Sequence, residues 1–248
     1  MKKIFVIGAL ICVNCAANAQ NVFDGNPLYH PNQGRFYNVL MPVEFDTNLE
    51  LYKMRDVFGY GITDDFSVMI ETSGSYDSSD NPEFGKWAWN DLAVGFDWSI
   101  AQQGEYHSEI YGRGQQIYNT KHHLETIAYN WTLGARVGRM TDVWTITGVV
   151  ELDYLNDDMP HDDYDAWAMT VGLMGQYILD QKWNVVAKMM FDFDLFDKYY
   201  DGERLVAGVQ MNYNIDSTKY IGVYTTKDVI HNFDNAPMAF GVLFGIDF

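Results

Sequence analysis

From Arg35 to the carboxyl terminus, apolar side chains return at every second position in segments roughly ten residues long. In an extended strand alternate side chains share one face, whereas a helix repeats every 3.6 residues. The clearest segments run from Tyr37 to Phe45, Leu92 to Ile100, Ile127 to Val137, Trp144 to Tyr154, Trp167 to Leu179, Trp183 to Phe193 and Leu205 to Ile215. The sequence therefore predicts an all-β protein.

The connections between these segments alternate in length. Short polar turns are predicted near residues 63–65, 102–105, 139–142, 180–182 and 216–218, and longer acidic or histidine-bearing loops at 77–86, 119–124, 156–165, 197–202 and 231–235. Bacterial transmembrane barrels show this asymmetry. With a first turn near residues 46–48, the pattern predicts a transmembrane antiparallel up-and-down β-barrel of twelve strands, and ten to fourteen strands are compatible with it.

Aromatic residues fall into two sets, one beside the short turns and one beside the long loops. Phe66, Trp144, Trp183 and Tyr220 come directly after short turns, and a second set lies beside the long loops: Trp89, Tyr154, Trp167 and Phe193. Two aromatic belts of this kind mark the two membrane interfaces. A soluble β-sandwich also buries aromatic residues, but it has no reason to sort them by turn length.

The chain ends on an alternating apolar face formed by Phe240, Val242, Phe244, Ile246 and Phe248. This ending resembles the C-terminal strand of bacterial outer-membrane β-barrels, which finishes on Phe. The resemblance implies that the strand is the signal recognised by the barrel-assembly machinery, and an ordinary buried edge strand is the alternative.

At the other end, Lys2 and Lys3 precede a short apolar run and an A-x-A site formed by Ala17 and Ala19. These features predict a secretory signal peptide over residues 1–19, cleaved before Gln20. Both cysteines, Cys12 and Cys15, fall inside it, so no disulfide is expected in the mature chain. Residues 20–34 show no period and are predicted to be an irregular periplasmic segment, followed by the barrel over residues 35–248.

The charge balance limits the partners. The chain has 34 acidic and 16 basic residues and a formal net charge of −18. An acidic excess of this size argues against nucleic acid, whose phosphates need Lys and Arg. The expected partners are outer-membrane lipids, the assembly machinery and small polar solutes, and the predicted location is the cell outer membrane.

Polar residues fill the face opposite the apolar one, and their charged members are candidates for lining a pore. Glu71, Arg113 and Lys188 fall near mid-depth when residues are counted from the short turns. These charges either surround a narrow aqueous lumen or pair into a plug that fills it. The candidates are Glu44, Lys53, Arg55, Glu71, Asp91, Asp97, Glu109, Arg113, Arg136, Glu151, Asp153, Lys188, Asp192 and Asp194.

The alternation is irregular in two places. Arg55 and Asp56 are adjacent, so one of them would face lipid unless a β-bulge intervenes. Gly112 and Gly114 are predicted to face lipid beside the charged face that carries Arg113.

Three functions remain open: a narrow porin-like channel for small polar solutes or cations, a non-conducting structural or adhesive barrel, and an outer-membrane lipid hydrolase. The hydrolase is disfavoured because no exterior Ser–x–His or His–x–Ser pair lies within a strand. The acidic stretch at residues 156–165 lacks the spacing of an EF-hand, and His122 and His123 point apart if they are extended. We therefore expect no cofactor and no metal.

A further resemblance supports the channel. The segment Phe58-Gly-Tyr-Gly-Ile-Thr-Asp-Asp-Phe-Ser-Val68 resembles the strand–turn–strand unit of small transporter-type outer-membrane barrels, including phenol-degradation (MetA-pathway) porins. The resemblance implies a Gram-negative outer-membrane barrel that passes small solutes. It identifies no solute and no binding residue.

Overall fold

The computed structural model describes residues 26–46, 51–77, 87–119, 125–159, 162–195, 204–229 and 238–248. The predicted signal peptide and its cleavage site lie outside these residues. The described residues form twelve strands and no helix. The strands are β1 (Phe36–Asp46), β2 (Leu51–Gly61), β3 (Phe66–Asp77), β4 (Trp87–Gln103), β5 (Tyr106–Asn119), β6 (Glu125–Met140), β7 (Trp144–Met159), β8 (Asp162–Ile178), β9 (Trp183–Asp194), β10 (Arg204–Asp216), β11 (Lys219–Asp228) and β12 (Met238–Asp247).

Each strand pairs with its neighbours in the chain, and β1 pairs antiparallel with β12 to close the sheet. Closure leaves no edge strand with unpaired backbone groups. The prediction of an all-β, twelve-stranded antiparallel barrel is confirmed. In the described part of the chain, no helix is both long and apolar enough to cross a membrane.

The two ends of the barrel differ. The connections at residues 62–65, 104–105, 141–143, 179–182 and 217–218 are short and lie at the end where β1 begins and β12 finishes. We call this the short-turn end, and we call the opposite end the long-loop end. The long-loop connections fall largely outside the described residues.

The wall has an apolar outer face and a polar inner face. Large apolar side chains such as Val94, Leu133 and Val150 are exposed on the outside. Thr147 and Asn212 are fully buried on the inside. This distribution reverses that of a soluble protein, as expected when lipid is the outer solvent.

The first strand departs from the predicted alternation. Its register shifts between Leu40 and Val43, at Pro42. Proline has no N–H to donate to the ladder, and the bulge accommodates it. Val39 and Met41 consequently pack against the inward-facing cluster of Tyr220 and Leu243, whereas Val43 is exposed on the outer face. The single apolar face predicted from Tyr37 to Phe45 is therefore wrong, because the bulge divides it between the two sides of the wall.

The two irregular places have different solutions. No bulge separates Arg55 from Asp56: Arg55 points inward to Glu71, and Asp56 faces outward, where it accepts a hydrogen bond from Asn38. Gly112 and Gly114 face outward as predicted. The rings of Phe96 and Trp131 lie against these two glycines, in space that a Cβ would occupy.

Two smaller predictions are corrected. The long loop predicted at residues 156–165 is mostly strand, because β7 continues to Met159 and β8 begins at Asp162. Tyr220 does not join the outer aromatic belt; it points inward, where its ring lies over Gly245 and only 3% of the residue is exposed. The missing side chain of Gly245 makes room for that ring.

The last residue closes the barrel at the short-turn end. Phe248 exchanges two backbone hydrogen bonds of 2.8 Å with Phe36. Its ring stacks on Phe36 at 5.9 Å between centroids and lies 6.4 Å from Phe58. The side chains predicted to form the assembly signal share the lipid-facing side of β12 with Phe248, but their role in assembly stays a prediction.

We expect Phe248→Ala to lower the free energy of unfolding by about 1–3 kcal/mol, because it removes two aromatic contacts at the seam. Urea unfolding in detergent, followed by the shift between unboiled and boiled bands on a gel, measures the change. Phe240→Ala is the matched control, since Phe240 lies on the same strand and face at the long-loop end. Equal losses for the two variants would contradict a special role of Phe248 in closure.

Candidate functional site

The barrel lumen is the candidate site. By strand parity, the charged residues predicted to line a pore all lie on the inner face of the wall. The structure then divides them into groups with different partners. These groups differ in whether the charge of a carboxylate is compensated by a cation.

The first group is an ion-pair bridge at mid-height. Glu71 accepts a hydrogen bond from Nη2 of Arg55 at 2.6 Å and another from Nη2 of Arg113 at 2.6 Å. The Glu71 side chain is 6% exposed, against 45% for Arg55 and 24% for Arg113. One carboxylate thus holds two guanidinium groups from β2 and β5 across the face of β3, and the group carries a net positive charge.

Lys188 lies at the same height on another part of the wall. Glu71 is the sixth of the twelve residues of β3, and Lys188 is the sixth of the twelve residues of β9. Both strands rise from the short-turn end. Lys188 interacts electrostatically with Arg55, Glu44 and Glu151, although no carboxylate oxygen of the described residues lies within 4.0 Å of its ammonium group. Lys188 is therefore a lumenal cation without a direct ion-pair partner among the described side chains.

A second group of carboxylates is held by neutral donors. Hydroxyl groups of tyrosine, serine and threonine, together with one glutamine amide, supply these hydrogen bonds. A neutral donor orients a carboxylate but leaves its negative charge uncompensated. The pairs are Tyr224 to Glu44 at 2.6 Å, Ser73 and Gln115 to Asp91 at 2.7 and 2.9 Å, Tyr111 to Glu151 at 2.5 Å, Thr132 to Asp153, and Thr170 to Asp192 at 2.8 Å.

The short-turn mouth is occupied by the chain itself. Residues 26–34, which we call the plug segment, precede β1 and lie inside this mouth. Leu28 is 3% exposed and packs near Gly138 on the inner wall. The sequence predicts an irregular periplasmic segment over residues 20–34. The described part of it, residues 26–34, has an irregular backbone and lies within the barrel opening.

Polar contacts join the plug segment to β6 and to the turn between β2 and β3. Nη1 of Arg136 donates to the Pro27 carbonyl at 2.8 Å, and the Asn26 amide lies 3.2 Å from the sulfur of Met140. The Gln33 backbone N–H donates to Asp64 at 2.9 Å. The segment therefore contacts two separate parts of the mouth.

Beneath the plug segment lies a third charge group. Glu109 is 1% exposed; its Oε1 lies 2.7 Å from Nε2 of His30, and its Oε2 lies 3.5 Å from Nε of Arg136. Arg136 also forms an ion pair with Asp97. His30 thus brings a titratable side chain from the plug segment onto a buried carboxylate of the wall.

Tyr29 anchors the other side of the plug segment. It hydrogen-bonds to Asp247 and packs edge-on against Tyr37, with ring centroids 6.0 Å apart. Burial, and next the nearby Asp247 carboxylate, raise the pKa of the Tyr29 hydroxyl above its usual range. The hydroxyl therefore stays protonated and remains a hydrogen-bond donor at neutral pH.

The described lumen contains cavities on both sides of the mid-height bridge. One of about 290 Å³ lies on the long-loop side of the bridge, and Glu44, Lys53, Asp91 and Tyr224 are among its lining residues. The other, of about 380 Å³, lies at the short-turn mouth and is lined partly by the plug segment. The bridge and the plug segment therefore both narrow the route between the two ends.

The described histidines bear on the hydrolase alternative. His30 and His107 both lie inside the short-turn mouth, whereas a lipid hydrolase of the expected kind needs its histidine on the outer wall. His122 and His123 lie outside the described residues. Within the described part of the chain, no histidine occupies the lipid-facing side.

Sequence reasoning missed the plug segment. The available signal was the presence of Leu28 and Tyr29, two residues that favour burial, within an otherwise polar, proline-containing stretch. Strand periodicity cannot detect such a segment because it has no period. Its partners are also distant in sequence, with Glu109 79 positions from His30.

No protein-family model matches the chain, and no curated protein matches it. Solved structures do. The NanC porin has a TM-score of 0.64 at 9% identity, covering 85% of this chain and 98% of NanC. The COG4313 outer membrane channel from Pseudomonas putida F1 has a TM-score of 0.60 at 13% identity, covering 89% and 97%. The translocator domain of the autotransporter NalP from Neisseria meningitidis has a TM-score of 0.54 at 12% identity, covering 89% and 91%. At such low identities the similarity establishes the fold, which is that of outer-membrane β-barrels.

We expect Glu71→Gln to destabilise the barrel by about 2–4 kcal/mol, because it leaves two lumenal arginines without their shared carboxylate. The partial exposure of Arg55 keeps the loss below that of a fully buried pair. Urea unfolding in detergent measures the effect. Asp192→Asn is the matched control and should cost less than about 1 kcal/mol, since Asp192 loses only a hydrogen bond from a threonine. Equal losses would contradict the structural role of the bridge.

Proposed function

We propose that this protein is an outer-membrane channel for small polar solutes with a preference for cations. The short-turn end would face the periplasm and the long-loop end the exterior. The fold it shares with a porin and an outer-membrane channel supports the proposal, since such barrels place their polar face around a lumen.

The observation that carries the cation preference is the division of the lumenal carboxylates. Three of them, Glu71, Asp97 and Glu109, form ion pairs with three arginines and are neutralised as a set. The five carboxylates held by Tyr, Ser, Gln and Thr side chains have no ion-pair partner among the described residues. Lys53 and Lys188 offset only part of their charge. A low-dielectric wall concentrates the remaining negative potential in the lumen, and screening acts over about 8 Å at physiological salt.

The mid-height charges favour small solutes that carry both a donor and an acceptor. The Arg55–Glu71–Arg113 bridge and Lys188 present positive groups, while Glu44, Asp91 and Glu151 lie close enough to interact with them or to line the same cavity. A small polar or zwitterionic solute satisfies both signs. An anion that enters from the surrounding solution is repelled by the lumenal carboxylates before it reaches the bridge.

A non-conducting barrel is the second candidate, and the plug segment is the observation that favours it. Residues 26–34 contact several strands at the short-turn mouth. If they never leave, the protein is a closed wall whose function lies in its loops or its outer face. Conductance separates the two candidates directly.

We expect refolded protein in a planar bilayer to conduct, with reversal potentials in a KCl gradient that show potassium preferred over chloride. Asp153→Asn should lower the potassium-to-chloride permeability ratio by a factor of about two, and Lys188→Gln should raise it by a similar factor, since each changes one lumenal charge. Lys219→Gln is the control, because Lys219 sits beside an exposed turn and pairs with Asp216. Chloride preference would contradict the selectivity, and the absence of any current would favour the structural barrel.

A further inference from the structure

We propose that the plug segment, residues 26–34, is a displaceable gate of the short-turn mouth, held shut by the contact between His30 and Glu109. The proposal rests on the channel function above. It adds that the conducting and resting states differ in the position of this segment, while the twelve-stranded wall stays unchanged.

At its carboxyl-terminal end, the plug segment joins the wall through the backbone hydrogen bonds between β1 and β2. Gly34 donates its backbone N–H to the Gly61 carbonyl at 2.9 Å, and Gly61 donates to the Arg35 carbonyl at 3.0 Å. These two hydrogen bonds extend the β1–β2 pairing to the edge of the mouth. Before Gly34, the described contacts of the segment with the wall are made by individual side chains and single backbone groups. Such contacts can separate without disturbing strand pairing.

A pivot lies where the ladder ends. Gly34 has a backbone φ of +78°, in the left-handed region that favours glycine, and no heavy atom lies within 4 Å of the place a Cβ would take. Glycine therefore allows this position more backbone conformations than any other residue would. Residues 26–33 would swing as a unit about this point.

The docked state leaves polar atoms unsatisfied beneath the segment. Among the described residues, Nδ1 of His30 is buried without a hydrogen-bond partner, and Oε2 of Glu109 and Nε of Arg136 face each other at 3.5 Å without forming a hydrogen bond. Buried polar groups without partners are costly, and displacement of the segment would admit water to all three. This cost opposes the gain from burying Leu28 and from the short contact of His30 with Glu109. A displaceable gate requires opposing terms of this kind.

The charged groups around His30 make its contact with Glu109 the main interaction that holds the plug segment in the mouth. Glu109 contacts it directly, and Asp97 and Arg136 lie beside Glu109 in the same group, while His107 approaches from β5. Removing the His30 side chain abolishes the contact between the plug segment and Glu109, and the hydrogen bond from Arg136 to the Pro27 carbonyl remains. It leaves the Arg136 contacts to Asp97 and Glu109 in place, so the wall should fold normally.

The first measurement does not depend on conductance. Leu28→Cys places a thiol at a buried position of the segment, and the two natural cysteines lie in the predicted signal peptide. Labelling of the folded barrel by a membrane-impermeant maleimide should be slow, and adding His30→Ala should make it about tenfold faster, the effect of losing one charge-assisted hydrogen bond. Gln33→Ala, which alters an exposed side chain of the same segment, should leave the rate unchanged.

The second measurement is the mean conductance of the same proteins without the added cysteine. His30→Ala should spend more time in the open state than the natural chain, and deletion of residues 26–33 should remain open. Folding of every variant is checked by its unboiled gel band. If neither the deletion variant nor the natural chain conducts, both the gate and the channel are refuted.

Three outcomes overturn the gate and leave the channel intact. The first is a Leu28→Cys labelling rate that responds equally to His30→Ala and Gln33→Ala. The second is a conductance of the deletion variant equal to that of the natural chain. The third is labelling of Leu28→Cys as fast as that of a free thiol, because the segment would then not be docked.

Discussion

Closure of the sheet through β1 and β12 is the constraint on which the rest of the structure depends. A wall surrounded by hydrocarbon has no water to satisfy backbone N–H and C=O groups, so every strand must have two neighbours. The seam is completed by the reciprocal hydrogen bonds between Phe36 and Phe248. Once the sheet is closed, its outer face must be apolar and its polar residues must turn inward. The lumenal charges therefore follow from the membrane, before any question of function.

The same constraint explains which side chains pair with the carboxylates of the lumen. Polar side chains that converge in a barrel of this width must satisfy one another or bind water. Here arginine is used where a carboxylate is most enclosed, as at Glu71 and Glu109, and hydroxyl groups are used elsewhere. An arginine fills space and cancels charge, whereas a hydroxyl does neither to the same extent. The choice of partner thus separates the parts of the lumen that are filled from those that keep a potential.

Alternation and turn length in the sequence were enough to predict the barrel, its twelve strands and the inward set of charges. Both signals are local, and both arise directly from the pleat and from the contrast between the two ends. The ion-pair partners of the individual lumenal charges were not predictable. The Arg55–Glu71–Arg113 bridge and the His30–Glu109 contact join residues from separate strands or segments. The bulge at Pro42 was also missed, although proline within a strand was a usable signal. It reversed the face of Tyr37, Val39 and Met41, since one extra residue changes the parity of everything beyond it.

Asp56 is a carboxylate on the lipid-facing side of β2. A carboxylate on the lipid-facing side of a barrel strand is costly at mid-height. Asp56 is half-buried there, and Asn38 on β1 donates to it while also donating to the Val57 carbonyl at 3.0 Å. The alternation that places Arg55 on the inner bridge requires its neighbour to face outward, because no bulge separates the two. The position of Asp56 is therefore a consequence of the lumenal ion pair, and Asn38 reduces its cost by supplying one hydrogen bond from the adjacent strand.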